Sequence, residues 1–145
     1  MLQQRWFQYA LLSAVSAAAV GIFGKLGLRH VDPTLATAVR SVIMAVLLVT
    51  VCFTTGLTSR LGELDGRALL MIALSGIAGA ASWLFYFRAL QAGELSQVAP
   101  VDKLSVPLGI LLAVLVLGER PSGINWLGIG LALVGVYLAS MPSKA

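Results

Sequence analysis

The sequence predicts an all-α membrane protein of five transmembrane helices, and three observations predict it. The 145-residue chain is 59% hydrophobic and only 11% charged. Its mean hydropathy is +0.93. Its apolar residues gather into five stretches, 6–28, 34–53, 68–92, 96–117 and 124–141, of 18 to 25 residues each. Soluble domains run nearer half apolar and a quarter charged. A helix needs about 20 residues to cross a hydrocarbon core about 30 Å thick. These features exclude a disordered chain, a nucleic-acid-binding module and an ordinary soluble enzyme. The net charge of +4 fits basic residues at membrane edges, because no basic cluster of the kind that grips nucleic acid occurs. The lone cysteine, Cys52, forbids an intrachain disulfide, and the single histidine, His30, leaves no zinc-ligand spacing. No metal or cofactor is expected.

The first stretch, 6–28, has Arg5 ahead of it and Ala17-Ala18-Ala19 within it, which resembles a cleaved signal peptide. Signal-peptide apolar regions run only about 7–15 residues. This one continues to Leu28, so it is read as a span. Short connections follow the first, third and fourth spans: 29–33, 93–95 and 118–121. A longer one, 54–67, follows the second. Short connections make neighbouring helices antiparallel. Five spans then place the termini on opposite sides. On the N-terminal side stand Arg5, Arg60, Arg67 and Arg120; on the other stand Arg29 and Lys144, with Lys25 and Arg88 if these snorkel. The bias favours a cytoplasmic N-terminus in the plasma (inner) membrane only slightly, and insertion in both orientations stays open.

Five charges fall inside the apolar stretches: Lys25, Arg40, Arg88, Asp102 and Lys103. Each costs ~3 kcal/mol at the bilayer centre on insertion scales. Counting along the spans puts all five in the half of the membrane away from the N-terminus. That clustering suggests a polar vestibule opening on that side; the alternative is that each cation snorkels to the headgroups. Helical phase separates the two readings. Lys25 shares its face with Ala14, Ala18 and Gly21, and Asp102 lines up with Ser105, Gly109 and Ala113. Small-residue stripes face helices or cavities. Arg40 has Thr37 and Met44 on its face, Lys103 has Pro107 and Val114, and Arg88 lies among Ile77, Ala81 and Leu84 as a snorkelling residue would. Asp102 and Lys103 are sequence neighbours on a helix, so they are not expected to pair.

The third span carries Ser75, Gly79, Ser82 and Tyr86 on one stripe beside Trp83, a candidate aromatic wall for a binding pocket or else plain interior packing. Trp6, Phe7, Tyr9 and Trp126 read as an interfacial belt. Pro100 and Pro107 both sit in the fourth span, where a missing backbone donor bends a helix and a bent span can line a cavity. Gly128, Ala132, Gly135 and Ala139 form a small-residue seam on the fifth, suited to close helix pairing. No nucleophile with its base, paired catalytic carboxylates or phosphate-cradling glycine loop is present, so no enzyme is expected.

Residues 83–138 resemble the EamA-type domain of the drug/metabolite transporter superfamily. The resemblance is carried by Phe85-Tyr86-Phe87-Arg88-Ala89-Leu90-Gln91-Ala92-Gly93, by 107–117, by Leu117-Gly118-Glu119-Arg120 and by the glycine-rich run 128–138. Upstream, Pro33-Thr34-Leu35 leading to Arg40-Ser41 is similar to the family's second span, so the likeness covers nearly the whole chain as a single domain, 1–145. It implies secondary transport of a small metabolite. Most members carry two five-helix domains, inverted relative to each other; this chain has one. The resemblance therefore implies a pair of half-transporters: an antiparallel homodimer, a parallel one or a separate partner chain.

The small multidrug exporters of the superfamily use a first-span carboxylate. Here the first span carries Lys25 and no acid, and the embedded charges are four cations against Asp102. That balance favours an anionic or zwitterionic substrate. The candidate substrate and coupling residues are Asp102, Lys103, Arg40, Lys25, Trp83 and Tyr86, with Asp102 as proton carrier if transport is proton-coupled. Glu119 of the family motif, Pro107, Gly128 and Ala132 are expected to shape the structure. A flippase for a lipid-linked precursor and a non-transporting assembly subunit are the competing readings.

Overall fold

A computed structural model describes residues 2–141, and these form helices and turns without a strand. The long helices are α1 (Leu2–Gly27), α2 (Pro33–Thr54) and α3 (Gly66–Ala92). They are followed by α4 (Leu95–Asp102), α5 (Ser105–Leu112), a π-helical turn (Ala113–Leu117) and α6 (Gly123–Ala139). Four segments are long and apolar enough to cross a bilayer, the fourth being Leu95–Leu117; α6 is a shorter apolar helix of 17 residues. The chain is thus an all-α, multi-pass membrane protein. Lys144, counted above for orientation, lies outside the described residues.

Local chemistry sets the helix ends. Asp32 caps α2: its Oδ1 accepts from the Thr34 and Leu35 N–H groups at 2.8 and 3.1 Å, and Pro33 occupies the first helical position, where no donor is needed. Asp65 accepts the Ala68 N–H at 2.8 Å before α3. Ser122 caps α6, accepting the Asn125 N–H and donating its hydroxyl to Asn125 Oδ1 at 2.6 Å. The connection 54–67 contains a 3-10 helix, Leu57–Glu63, that the sequence did not announce. Arg60 and Glu63 pair across it at 3.2 Å, both well exposed.

The fourth span is not one continuous helix. Pro107 has no N–H to offer the Lys103 carbonyl four residues back. That carbonyl instead accepts the Val106 N–H at 3.0 Å, while Lys103 and Leu104 donate to Pro100 and Val101 in tightened turns. The helix therefore breaks at 103–104, between α4 and α5. At the far end the π-helical turn stops at Gly118, whose φ of +71° is left-handed and suits glycine. The Glu119 N–H closes the end on the Ala113 carbonyl at 3.3 Å.

The residues divide into two compact units, Gly24–Gln91 and Met1–Phe23 with Ala92–Ala145. The first holds the buried residues Leu28, Phe87 and Leu90, with Thr37 as a buried polar group whose hydroxyl donates to the Pro33 carbonyl at 2.7 Å. Gly24 allows this packing. A Cβ there would lie 3.2 Å from a Phe87 ring carbon and 3.6 Å from Leu90. In the second unit α4 packs beside α6. Most Leu, Ile and Val side chains of the spans are exposed, as residues facing lipid are.

Candidate functional site

Within the unit Gly24–Gln91, three helix ends are tied together. Lys25, in the last turn of α1, donates from Nζ to the Leu90 carbonyl in the last turn of α3 at 2.7 Å. A cation at a helix C-terminus meets both an unsatisfied carbonyl and the negative end of the macrodipole. Gln91 Nε2 reaches the Val31 carbonyl at 3.4 Å. Lys25 thus has a structural partner that its helical face did not foretell. A backbone carbonyl carries no residue-type signal.

Beside this tie stands Arg40. Its guanidinium carbon lies 3.6 Å from the Trp83 ring centroid and 5.8 Å from that of Phe87. Such stacking, a cation on an aromatic face, is strongest where water is excluded. The platform is itself braced: Trp83 meets Tyr86 and Phe87 edge to face, with centroids 5.6 and 5.8 Å apart. Phe87 in turn rests against Gly24. Arg40 makes no hydrogen bond or ion pair among the described residues. Stacking leaves the edge of the guanidinium, with its fork of donors, available to a carboxylate or phosphate. Three sequence candidates, Arg40, Trp83 and Tyr86, are therefore brought together; spacing along the chain does not signal that Arg40 and Trp83 meet, because they sit on different helices. Arg88 is exposed and bears only weakly on Asp32, whose carboxyl is held below its ordinary range chiefly by the Leu35 and Thr34 N–H groups.

In the other unit, Lys103 Nζ lies 3.1 Å from Asp102 Oδ2. The expectation that the two do not pair is corrected. It assumed a continuous helix; Asp102 is the last residue of α4 and Lys103 its C-cap, where the regular helix stops. Asp102 is the more sheltered of the two.

The four residues expected to shape the structure converge as well. An open groove of about 640 Å³ runs between α5 and α6, lined by Pro107 and Ile110 on one side and by Gly128 and Ala132 on the other, with Glu119 and Arg120 at its mouth. Small side chains on α6 leave the space. The Glu119 and Arg120 side chains find no partner among the described residues.

The EamA-like transporter family matches residues 4–141. The chain belongs to that family. A Sinorhizobium relative bearing the name "Uncharacterized transporter in cobO 3'region" is 39% identical over 140 residues, covering 97% of this chain and 99% of the relative. No solved structure matches. The family and the relative support a membrane-transport role, and the EamA resemblance read from the sequence is borne out over almost the whole chain.

Proposed function

We propose that this EamA-family protein is a secondary transporter of a small anionic or zwitterionic metabolite, working as a dimer by alternating access. The observation that carries the proposal is the Arg40 guanidinium held 3.6 Å over Trp83 with no acceptor among the described residues. An ionisable group inside a membrane marks a functional site by default. In the unit Gly24–Gln91 the embedded charges are Lys25, Arg40 and Arg88, all cations. That field attracts an anion and repels a lipophilic cation.

Residues 1–145 supply one repeat. Alternating access in related architectures needs two repeats around a shared site, and the reading pairs this repeat with a second, antiparallel copies being the arrangement that restores inverted symmetry. The Sinorhizobium relative, matched over 99% of its length, is also one repeat long. If transport is proton-coupled, Asp102, the embedded carboxylate, is the proton carrier. The protein acts in the plasma (inner) membrane with its N-terminus in the cytoplasm.

Proteoliposomes test the proposal with radiolabelled organic carboxylates, amino acids and quaternary ammonium cations. Saturable flux of a carboxylate or amino acid, without flux of the ammonium ions, is expected. Flux of the cations would overturn the substrate class. No solute flux, with scrambling of a fluorescent lipid, would favour the flippase. Neither activity, with a stably co-purifying partner, would favour the assembly subunit.

A further inference from the structure

The groove between α5 and α6 has a chemistry of another kind from the Arg40 site. Its walls are mostly apolar, formed by Ile110, Pro107, Ile129 and the small faces of Gly128 and Ala132, with Asn125 adding one neutral amide. Its charges stand at one end only, where Glu119 and Arg120 are adjacent in the chain and without partners among the described residues. That end is the connection between the fourth span and α6, which the five-span reading puts at the membrane surface. An apolar trough ending in one anion and one cation at the membrane surface matches an amphiphile that carries both charges in its headgroup.

We propose that this groove is a binding site for a phospholipid with a primary ammonium headgroup, as in phosphatidylethanolamine. Arg120 takes the phosphate, because a guanidinium donates to phosphate oxygens through charge-assisted bonds. Glu119 takes the ammonium, whose N–H groups a trimethylated headgroup lacks. One acyl chain lies along Gly128 and Ala132. A helix from a second copy is the competing occupant. It would leave the mouth charges to be met by its own, and the grading of the groove from apolar to charged along its length favours the lipid.

Native mass spectrometry of the protein in detergent micelles, with dioleoyl-phosphatidylethanolamine, -phosphatidylglycerol or -phosphatidylcholine added, tests this. Several-fold greater retention of the ethanolamine lipid over both others is expected. Arg120→Gln should lower retention of all three. Glu119→Gln should abolish the preference for ethanolamine over glycerol and choline headgroups while leaving residual binding. Gly128→Leu, which fills the trough, should reduce lipid binding without changing oligomeric state. Circular dichroism checks that each variant is folded, and Arg120→Lys, which keeps the cation, should retain more lipid than Arg120→Gln. Equal retention of the three lipids, or a headgroup preference untouched by Glu119→Gln, would overturn the proposal. Dissociation of a dimer by Gly128→Leu with lipid binding unchanged would assign the groove to a second copy instead. None of these readouts depends on solute transport.

Discussion

Lys25→Met removes the tie between α1 and α3. Methionine keeps an unbranched stem of similar length and removes the ammonium. The lost contact is a 2.7 Å bond from a charged donor to the carbonyl of Leu90, a residue that is fully buried. Hydrogen bonds to charged groups contribute about 1.5–3 kcal/mol, and an abandoned buried carbonyl adds a desolvation term of similar size. Neutral interhelical bonds in membrane proteins average only ~0.6 kcal/mol. A loss of about 2 kcal/mol is therefore expected, roughly a 30-fold change in the folding equilibrium. Equilibrium unfolding in mixed micelles, followed by circular dichroism as SDS is raised, reads this directly. A change below about 0.5 kcal/mol would refute the reasoning and return Lys25 to the role of a snorkelling surface cation.

Three further outcomes follow from named contacts. Gly24→Val places methyl groups where even a Cβ would sit 3.2 Å from the Phe87 ring; overpacking of this kind costs about 1–3 kcal/mol, and the same unfolding assay should show it. Pro107→Ala supplies the N–H four residues on that would let the Lys103 carbonyl exchange its tightened bond from Val106 for an α-helical one, so hydrogen exchange across 103–108 should slow as α4 and α5 join; unchanged exchange would mean that proline is not what breaks the span. The Asp32 cap should be pH-sensitive. Its folded carboxyl titrates below the ordinary aspartate value, held there by the Leu35 and Thr34 N–H groups, so its stabilisation is fully present above the unfolded value and is lost as pH falls through the lower folded one. Amide exchange at Thr34 and Leu35 should rise only in acid, below about pH 4, and Asp32→Ala should abolish the transition.

Much of the fold was legible because hydropathy and helix length are both one-dimensional. The stretches 6–28, 34–53 and 68–92 correspond to α1, α2 and α3 within a few residues. The short reach of the last stretch anticipated the 17 residues of α6. Pro100 and Pro107 signalled a disturbed fourth span, but not that the break falls at 103–104 or that the span ends in a π-helical turn. Those depend on which carbonyls find substitute donors. The same limit governs the site. Trp83 and Tyr86 were recognisable as an aromatic wall from their place in the third span. That Arg40 lies on that wall, and that Lys25 is directed to the Leu90 carbonyl, are contacts between helices that spacing along one helix does not encode. The Asp102–Lys103 pair was misjudged for a related reason, since the rule for neighbours holds on an unbroken helix.

The central claim is that Arg40, stacked on Trp83, receives the anionic group of a transported solute. Its most direct test is the KM for carboxylate uptake into proteoliposomes by Arg40→Lys. Lysine preserves the charge but loses the planar fork and the ring contact, so forfeiting one charge-assisted bond of about 1.5–3 kcal/mol should raise KM roughly tenfold or more. A KM equal to that of the unaltered protein would contradict the account.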